Sequence, residues 1–347
     1  MHTLDPLTAP VPPLAALRRI AYLLERQRAS SYKAEAFRRA AAALGRLGEP
    51  EVRRRDAAGT LTDVPGVGRS TGRVVAQALA GQVPDYLAEL QAAAVPLATG
   101  GEDLFAAVVG DLHMHSDWSD GGAPIEEMVL TAVETGHEWV ALTDHSPWLT
   151  VANGLSAERL ARQLGVVAEV EATWAGQVRV LRGIEVDILE DGALDQTPET
   201  LDRLDVVTAS VHSQLRMAPG PMTRRMVAAV ANPRVNVLGH CTGRLVTGGR
   251  GTRPPSTFDA GEVFAACAAH DVAVEINSRP ERQDPPDELI GQALAAGCLF
   301  SIDSDAHAPG QLEMKAYGAE RARRLGVPAE RIVTTWPVDR VTAWAGR

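Results

Sequence analysis

Residues 110–122 read GDLHMHSDWSDGG, and a hydrophobic run, AAVV, leads into His113, Met114 and His115. Residues two apart on a strand point to the same face, so an H-x-H at a strand end aims both imidazoles at one point. Neutral ring nitrogens brought together in this way are ligands for zinc and similar divalent ions. Asp120, on a Ser/Asp/Gly turn, offers an oxygen to the same site or to an adjacent one. Taken alone, the pair reads equally well as two surface histidines. The other histidines decide between the two. Of nine in the chain, six lie at or just beyond predicted strand ends: His113, His115, His145, His212, His240 and His307. Glu185 in RGIEVDI and Asp305 in IDSDAH accompany them. Ligand-type residues at the C-terminal ends of many strands converge on one mouth. These donors are enough for about three divalent ions sharing a bridging carboxylate. The mixture of imidazole and carboxylate suits zinc, manganese and iron alike. His137 and His270 each follow an apolar helix and read as helix-end residues bonded to terminal carbonyls.

The elements that must position these groups follow from hydrophobic periodicity. Seven candidate strands end near His113, Asp144, Asp187, His212, Cys241, Asn277 and Ser304, and amphipathic helical stretches separate them. Repeated βα units imply an α/β fold with a parallel sheet, either closed as a barrel or open and doubly wound. Ahead of them lies a helical region. Leu14, Leu17, Ile20, Leu23 and Leu24 recur at helical spacing, as do Phe37, Ala40, Ala41 and Leu44 in a second helix with Arg38, Arg39 and Arg46 on solvated faces. Residues 61–79, LTDVPGVGRSTGRVVAQAL, read as a helix-hairpin-helix with Gly66 and Gly68 in the turn. Its backbone N–H groups and the following helix N-terminus suit a DNA phosphate, with Arg69 and Arg73 beside it. The expected domains are a helical unit over 1–96, a linker over 97–106 and an α/β unit over 107–347.

Composition bounds the reading. The chain has 347 residues, 45% hydrophobic and 22% charged, as in a globular protein. The net charge of −10 is uneven: residues 1–100 carry 13 basic against 9 acidic side chains, and the remainder 21 against 35. The acidic part suits metal capture and the mildly basic part a phosphate backbone. No apolar run reaches the roughly 18 residues of a spanning helix, so no membrane role and a cytoplasmic location are expected. Cys241, Cys267 and Cys298 lie in apolar segments and read as small buried residues in a reducing compartment.

Residues 14–95, including SSYKAEAFRRAAAAL and the hairpin, resemble the N-terminal small domain of family X DNA polymerases. Relatives with lyase activity use a lysine in the helix after the hairpin, and Val74 stands at that position. Residues 107–340 resemble the polymerase-and-histidinol-phosphatase (PHP) domain through DLHMHSDWSDG, VALTDHSPWL, GIEVDILEDGALD, VVTASVHS, VLGHCTGRL, VEINSRPERQDPPDEL and SIDSDAH. That resemblance implies a distorted seven-stranded (β/α) barrel with a trinuclear centre of zinc, manganese or iron. It places His113, His115, Glu185 and Asp305 on one metal. His212 and His240 fall on a second that shares Glu185, and Asp120, His145 and His307 on a third. The implied activity is phosphoester hydrolysis at the metals, where Glu185, Asp120 and His145 form the reacting centre. Asn277 is expected to line the mouth and Arg244, Arg279 and Arg282 to meet phosphate. Family X polymerases carry a palm between these two domains, and the spacing here leaves no room for one, so polymerase activity is not expected. Three functions stay open: a DNA-directed phosphoesterase (3′-5′ exonuclease, 3′-phosphatase or abasic-site enzyme), a small-molecule phosphatase of the histidinol-phosphatase type, and a non-catalytic DNA-binding adaptor.

Overall fold

The structure, a computed structural model, describes residues 3–249 and 251–346. It divides into two compact units, one of Thr3–Pro96 with Ala308–Gln311, the other of Leu97–His307 with the chain from Leu312 onward.

The first unit is built from α1 (Pro13–Arg26), α2 (Ser31–Leu47), α3 (Glu49–Ala57), α4 (Arg69–Leu79) and α5 (Asp85–Ala92). Pro13 opens α1, where its fixed φ fits the first turn and no N–H is lost. The stripe of Leu17, Ile20, Ala21 and Leu24 meets Phe37, Ala40, Ala41 and Leu44 of α2 in one core, to which Val64, Val67, Val74 and Val75 add the hairpin. Gly66 has φ +96°, a left-handed conformation that a side chain disfavours, and Gly68 caps α4. Arg38 departs from the expected solvated face: it is buried and paired through two nitrogens with Glu25, Nε to Oε1 at 2.9 Å and Nη2 to Oε2 at 2.7 Å.

The second unit alternates α6 (Glu102–Ala107), α7 (Ile125–Glu134), β1 (Trp139–Leu142), α8 (Ala157–Thr173), β2 (Arg179–Asp187), α9 (Pro198–Leu201), β3 (Val206–Ser210), α10 (Pro219–Val230), β4 (Val237–Leu238), α11 (Ala260–Ala269), β5 (Ala273–Asn277), α12 (Asp287–Ala296), β6 (Phe300–Asp303), α13 (Lys315–Arg324) and α14 (Val338–Ala345). The segment expected as a linker holds α6, whose Leu104 enters this unit's core. All strand pairs are parallel and the sheet order is β1-β2-β3-β4-β5-β6. Sequential order without a reversal is the winding of a barrel, not of a doubly wound sheet.

The described residues contain six strands where seven were expected. The missing one is the first, ending at His113. Met114, next to its expected end, makes single parallel bridges to Leu142, the last residue of β1, and to Ala306, beyond the end of β6. The ladder fails because the N–H groups of Leu112, His113 and Met114 bond to side chains, namely Asp303 Oδ1, Asp111 Oδ1 and Thr143 Oγ1, instead of backbone carbonyls.

Strand alternation separates two environments. Ile184, Val186, Val207, Ala209, Val274, Ile276, Phe300 and Ile302 pack on the helices. The other face begins with an apolar floor of Leu112, Trp139, Ala141, Leu181, Val206, Val237 and Ala273. Further along the same face come Thr208, Glu275, Ser301 and Asp303, and then Glu185, Asp187 and Asn277, all buried. A floor of hydrocarbon beneath a polar layer is what a site at the strand ends requires. Cys241, Cys267 and Cys298 are buried and free.

Candidate metal centre

Glu185, near the end of β2, is the hub. Its Oε2 lies 2.8 Å from His145 Nδ1, 3.3 Å from His113 Nε2 and 3.7 Å from His115 Nε2; its Oε1 lies 3.0 Å from His240 Nε2 and 3.2 Å from His212 Nε2. Asp305, held at φ +49°, adds Oδ1 at 3.5 Å from His115 Nε2 and 3.5 Å from His307 Nδ1. Asp120 Oδ1 lies 3.3 Å from His307 Nε2 and 3.5 Å from His145 Nε2. Every residue expected as a ligand therefore lies in one cluster. Ligand atoms within 4.8 Å of one another fall into three overlapping groups: His113, His115 and Glu185; His145, Glu185 and His212; and His115, Asp120, His145 and His307. His145 differs from the expected partition by facing Glu185 through Nδ1 as well as Asp120 through Nε2.

The cluster fits divalent ions. Both Glu185 oxygens, both nitrogens of His115, His212 and His240, His113 Nε2 and His145 Nδ1 are buried with no hydrogen-bond partner. Buried polar atoms left unpaired are costly, and lone pairs converging from imidazoles and a carboxylate are what a dication satisfies. Protons take that role otherwise. Burial alone would raise the Glu185 carboxyl, but His113, His212 and His145 outweigh it and hold it well below the usual range. Burial would lower His212, yet Glu185 and Asp187 raise it to about 10. Burial lowers His115, and the neighbouring His307 and His145 push it down further.

A second set of carboxylates, not singled out from the sequence, orients these groups. Glu275 Oε1 lies 2.6 Å from His113 Nδ1, while its Oε2 accepts the His240 N–H at 2.5 Å and Asn277 Nδ2 at 3.2 Å. Asp187 Oδ1 accepts the His212 N–H at 3.2 Å. Asp144 accepts Ser116 N at 2.8 Å, Ser116 Oγ at 2.6 Å and Gln163 Nε2 at 2.6 Å, together with Ser119 Oγ, and so shapes the turn that presents Asp120. The available signal was parity: Glu275 and Asn277 share a face of β5, as Glu185 and Asp187 do on β2.

The residues expected to meet substrate are placed differently. Asn277 is buried, donating from Nδ2 also to Asp305 Oδ2 at 3.0 Å and accepting Arg279 N–H through Oδ1 at 3.1 Å. Arg244 spends Nε on the carbonyls of Arg282 and Gln283, at 3.1 and 2.9 Å, and Nη2 on Gln283. Arg279 holds Glu281 Oε1 with Nε and Nη2, and its Nη1 lies 2.9 Å from His307 Nδ1 and 3.2 Å from the Asp305 carbonyl. Arg282 Nε pairs with Asp305 Oδ2 at 3.0 Å. Asn277, Arg279 and Arg282 brace the cluster through Asp305 and His307, while Arg244 is held by the backbone carbonyls of the neighbouring loop.

In the helical unit, the Gly68 N–H is taken by Thr71 Oγ1 at 2.9 Å. Arg69 begins α4 on the exposed surface. Arg73, expected at a phosphate, pairs with Asp85 Oδ2 at 2.7 Å, an exposed pair that solvent screens.

The chain matches the helix-hairpin-helix domain over residues 12–83 and the PHP domain over 111–278. It is 34% identical over 240 residues to the DNA polymerase/3′-5′ exonuclease PolX of Bacillus subtilis (strain 168), covering 69% of this chain and 41% of that protein. A probable phosphatase of Vibrio parahaemolyticus is 26% identical over 239 residues, which cover 66% of this chain and 90% of that one. Histidinol phosphate phosphatase from Lactococcus lactis subsp. lactis Il1403, solved with zinc, L-histidinol and phosphate, has a TM-score of 0.44 at 19% identity over 63% of this chain and 92% of its own.

Proposed function

We propose that this chain, which carries a helix-hairpin-helix domain and a PHP domain, is a metal-dependent phosphoesterase acting on DNA, as a 3′-5′ exonuclease, 3′-phosphatase or abasic-site enzyme without polymerase activity. The observation that carries the reading is the presence in one chain of a helix-hairpin-helix region and a cluster of imidazoles and carboxylates, seven residues in three overlapping groups with His240 and Asp305 beside them.

His113, His115, Glu185 and Asp305, with His212, His240, Asp120, His145 and His307, would hold about three divalent ions, zinc, manganese or iron. When bound, such ions supply a water acidic enough to attack near neutral pH and bind the phosphoryl oxygens. The chain's own residues do the rest. Glu185, between five imidazoles, sets the spacing of the donors. Asp120 and His307, 27% and 21% exposed at the side chain against 0% for His113 and His115, mark the side from which a phosphoester arrives. The floor of Trp139, Leu181, Val206 and Ala273 excludes water from below. Gly66, Gly68 and Arg69 are the proposed contacts to the DNA backbone, and Arg73 joins them by exchanging Asp85 for phosphate.

A second reading is a small-molecule phosphatase, favoured by the Vibrio parahaemolyticus relative, which is matched over 90% of its length. Manganese-loaded protein separates the two on labelled single-stranded and recessed DNA beside histidinol phosphate. Shortening of DNA, or release of its 3′-phosphate, with steep inhibition by salt supports the first reading; cleavage of the small monoester alone overturns it.

A further inference from the structure

We infer that Glu275, which touches no open surface, is the positioning residue that seats His113 for metal and ties together both edges of the centre; the inference rests on the metal-dependent reading above. The carboxylate is fully buried in β5 and one register step below Asn277 on the same face. Each of its oxygens receives donors from a different part of the cluster. Oε1 faces His113 Nδ1 at 2.6 Å, and Oε2 takes the backbone N–H of His240 at 2.5 Å and Asn277 Nδ2 at 3.2 Å. Asn277 in turn reaches Asp305 Oδ2 at 3.0 Å. Glu275 thus holds one ring directly, a second ligand by its backbone and a third ligand through an amide.

The chemistry follows from donor and acceptor count. A neutral imidazole that ligates through one nitrogen carries its proton on the other. His113 Nε2 is the nitrogen that faces Glu185, at 3.3 Å, so the proton belongs on Nδ1, where Glu275 Oε1 accepts it. Outer carboxylates that fix a ligating histidine in this way raise its basicity and lock its orientation. Oε2 is engaged by two N–H donors, so the carboxylate acts as an acceptor on both sides.

Glutamine matches the size of Glu275 and fails on this count. With its carbonyl toward His113, its NH2 meets the N–H of His240 and the NH2 of Asn277. Turned the other way, it forces His113 into the tautomer whose Nε2 carries hydrogen and cannot bind an ion. Either arrangement removes a bond that an aspartate or glutamate oxygen makes.

The test measures Zn2+ affinity by chelator competition and the visible absorption of Co2+-loaded protein, in wild type, Glu275→Gln, His113→Ala and the double variant, with circular dichroism to verify the fold. The expected result is a 10- to 100-fold loss of Zn2+ affinity in Glu275→Gln, within about the range found for such partners, an altered Co2+ spectrum, and a clearly smaller further loss when Glu275→Gln is added to His113→Ala, where only the bonds to His240 and Asn277 remain to be broken. Unchanged affinity in folded Glu275→Gln overturns the inference, and so does an equal loss in both backgrounds, which marks a general structural role. Should Glu275→Gln not fold, 15N NMR of the Zn2+-loaded wild type decides: a protonated His113 Nδ1 supports the assignment and a bare one overturns it. Full Zn2+ binding by His113→Ala defeats the metal-centre reading itself and is seen independently of Glu275.

Discussion

Lys315 Nζ lies 2.6 Å from His137 Nε2, with both side chains buried. An ammonium only donates, so Nε2 accepts and the ring proton sits on Nδ1, which lies 3.2 Å from the Ala132 carbonyl. The ring is therefore neutral in the folded chain. Burial, and then the charge of Lys315, hold its pKa well below 6.5. The unfolded chain takes up this proton as pH falls through about 6.5 and the folded chain does not, so stability present above that pH is lost below it. We expect urea titrations of wild type and His137→Gln to diverge as pH falls from 7 to 5, wild type losing stability more steeply and the difference in slope approaching about 1.4 kcal/mol per pH unit at the acid end. Parallel curves would refute the assignment.

Gly110 is required by contact with a ring. A Cβ there would stand 2.1 Å from Trp139 Cε2 and Cζ2, and the indole cannot retreat because it is fully buried with Nε1 bonded to the Trp336 carbonyl at 2.9 Å. Gly110→Ala should cost about 3 kcal/mol, the upper part of the overpacking range, in equilibrium denaturation. A loss near zero would show that the floor yields.

Metal uptake should expel protons. With His212 raised to about 10 by Glu185 and Asp187 against the opposing effect of burial, the ion-free centre holds protons that an incoming cation must replace. Calorimetric titration with Zn2+ in two buffers of different ionisation enthalpy should show net proton release at pH 7 and weaker binding at pH 6. Buffer-independent heats would contradict this.

The hairpin makes an electrostatic prediction. If Arg69 meets a phosphate at the start of α4, Arg69→Ala should lower the slope of log Kobs against log salt by about 0.7 to 0.9 and weaken DNA binding without changing base preference. An unchanged slope would move the contact elsewhere.

The sequence told more about ligands than about their supports, for a physical reason. His113, His115, His145, His212, His240 and His307 stand out because imidazoles are scarce and recur at strand ends, and strand termini were legible from apolar runs. The strand before His113 was misread because its hydrophobic approach is right while its amides are claimed by Asp111, Thr143 and Asp303 side chains, which periodicity does not reveal. The supporting role of Glu275 escaped notice since one acidic residue in an apolar strand has no pattern of its own and only its parity relative to the ligands marks it, while Asp187 and Asp144 were read only as strand ends. Arg244 and Arg279 were assigned to phosphate from charge and loop position, and the three-dimensional crowding of carbonyl and carboxylate oxygens claims them first.

The central claim is that Glu185 organises a metal centre which hydrolyses phosphoesters, and Glu185→Gln tests it most directly. Metal content by mass spectrometry and hydrolysis of a labelled DNA end would be measured on the same wild-type and variant preparations. We predict that the variant, folded by circular dichroism, loses bound metal and slows at least about a thousandfold, some 4 kcal/mol of barrier. A variant that keeps its metal and its rate would contradict the account.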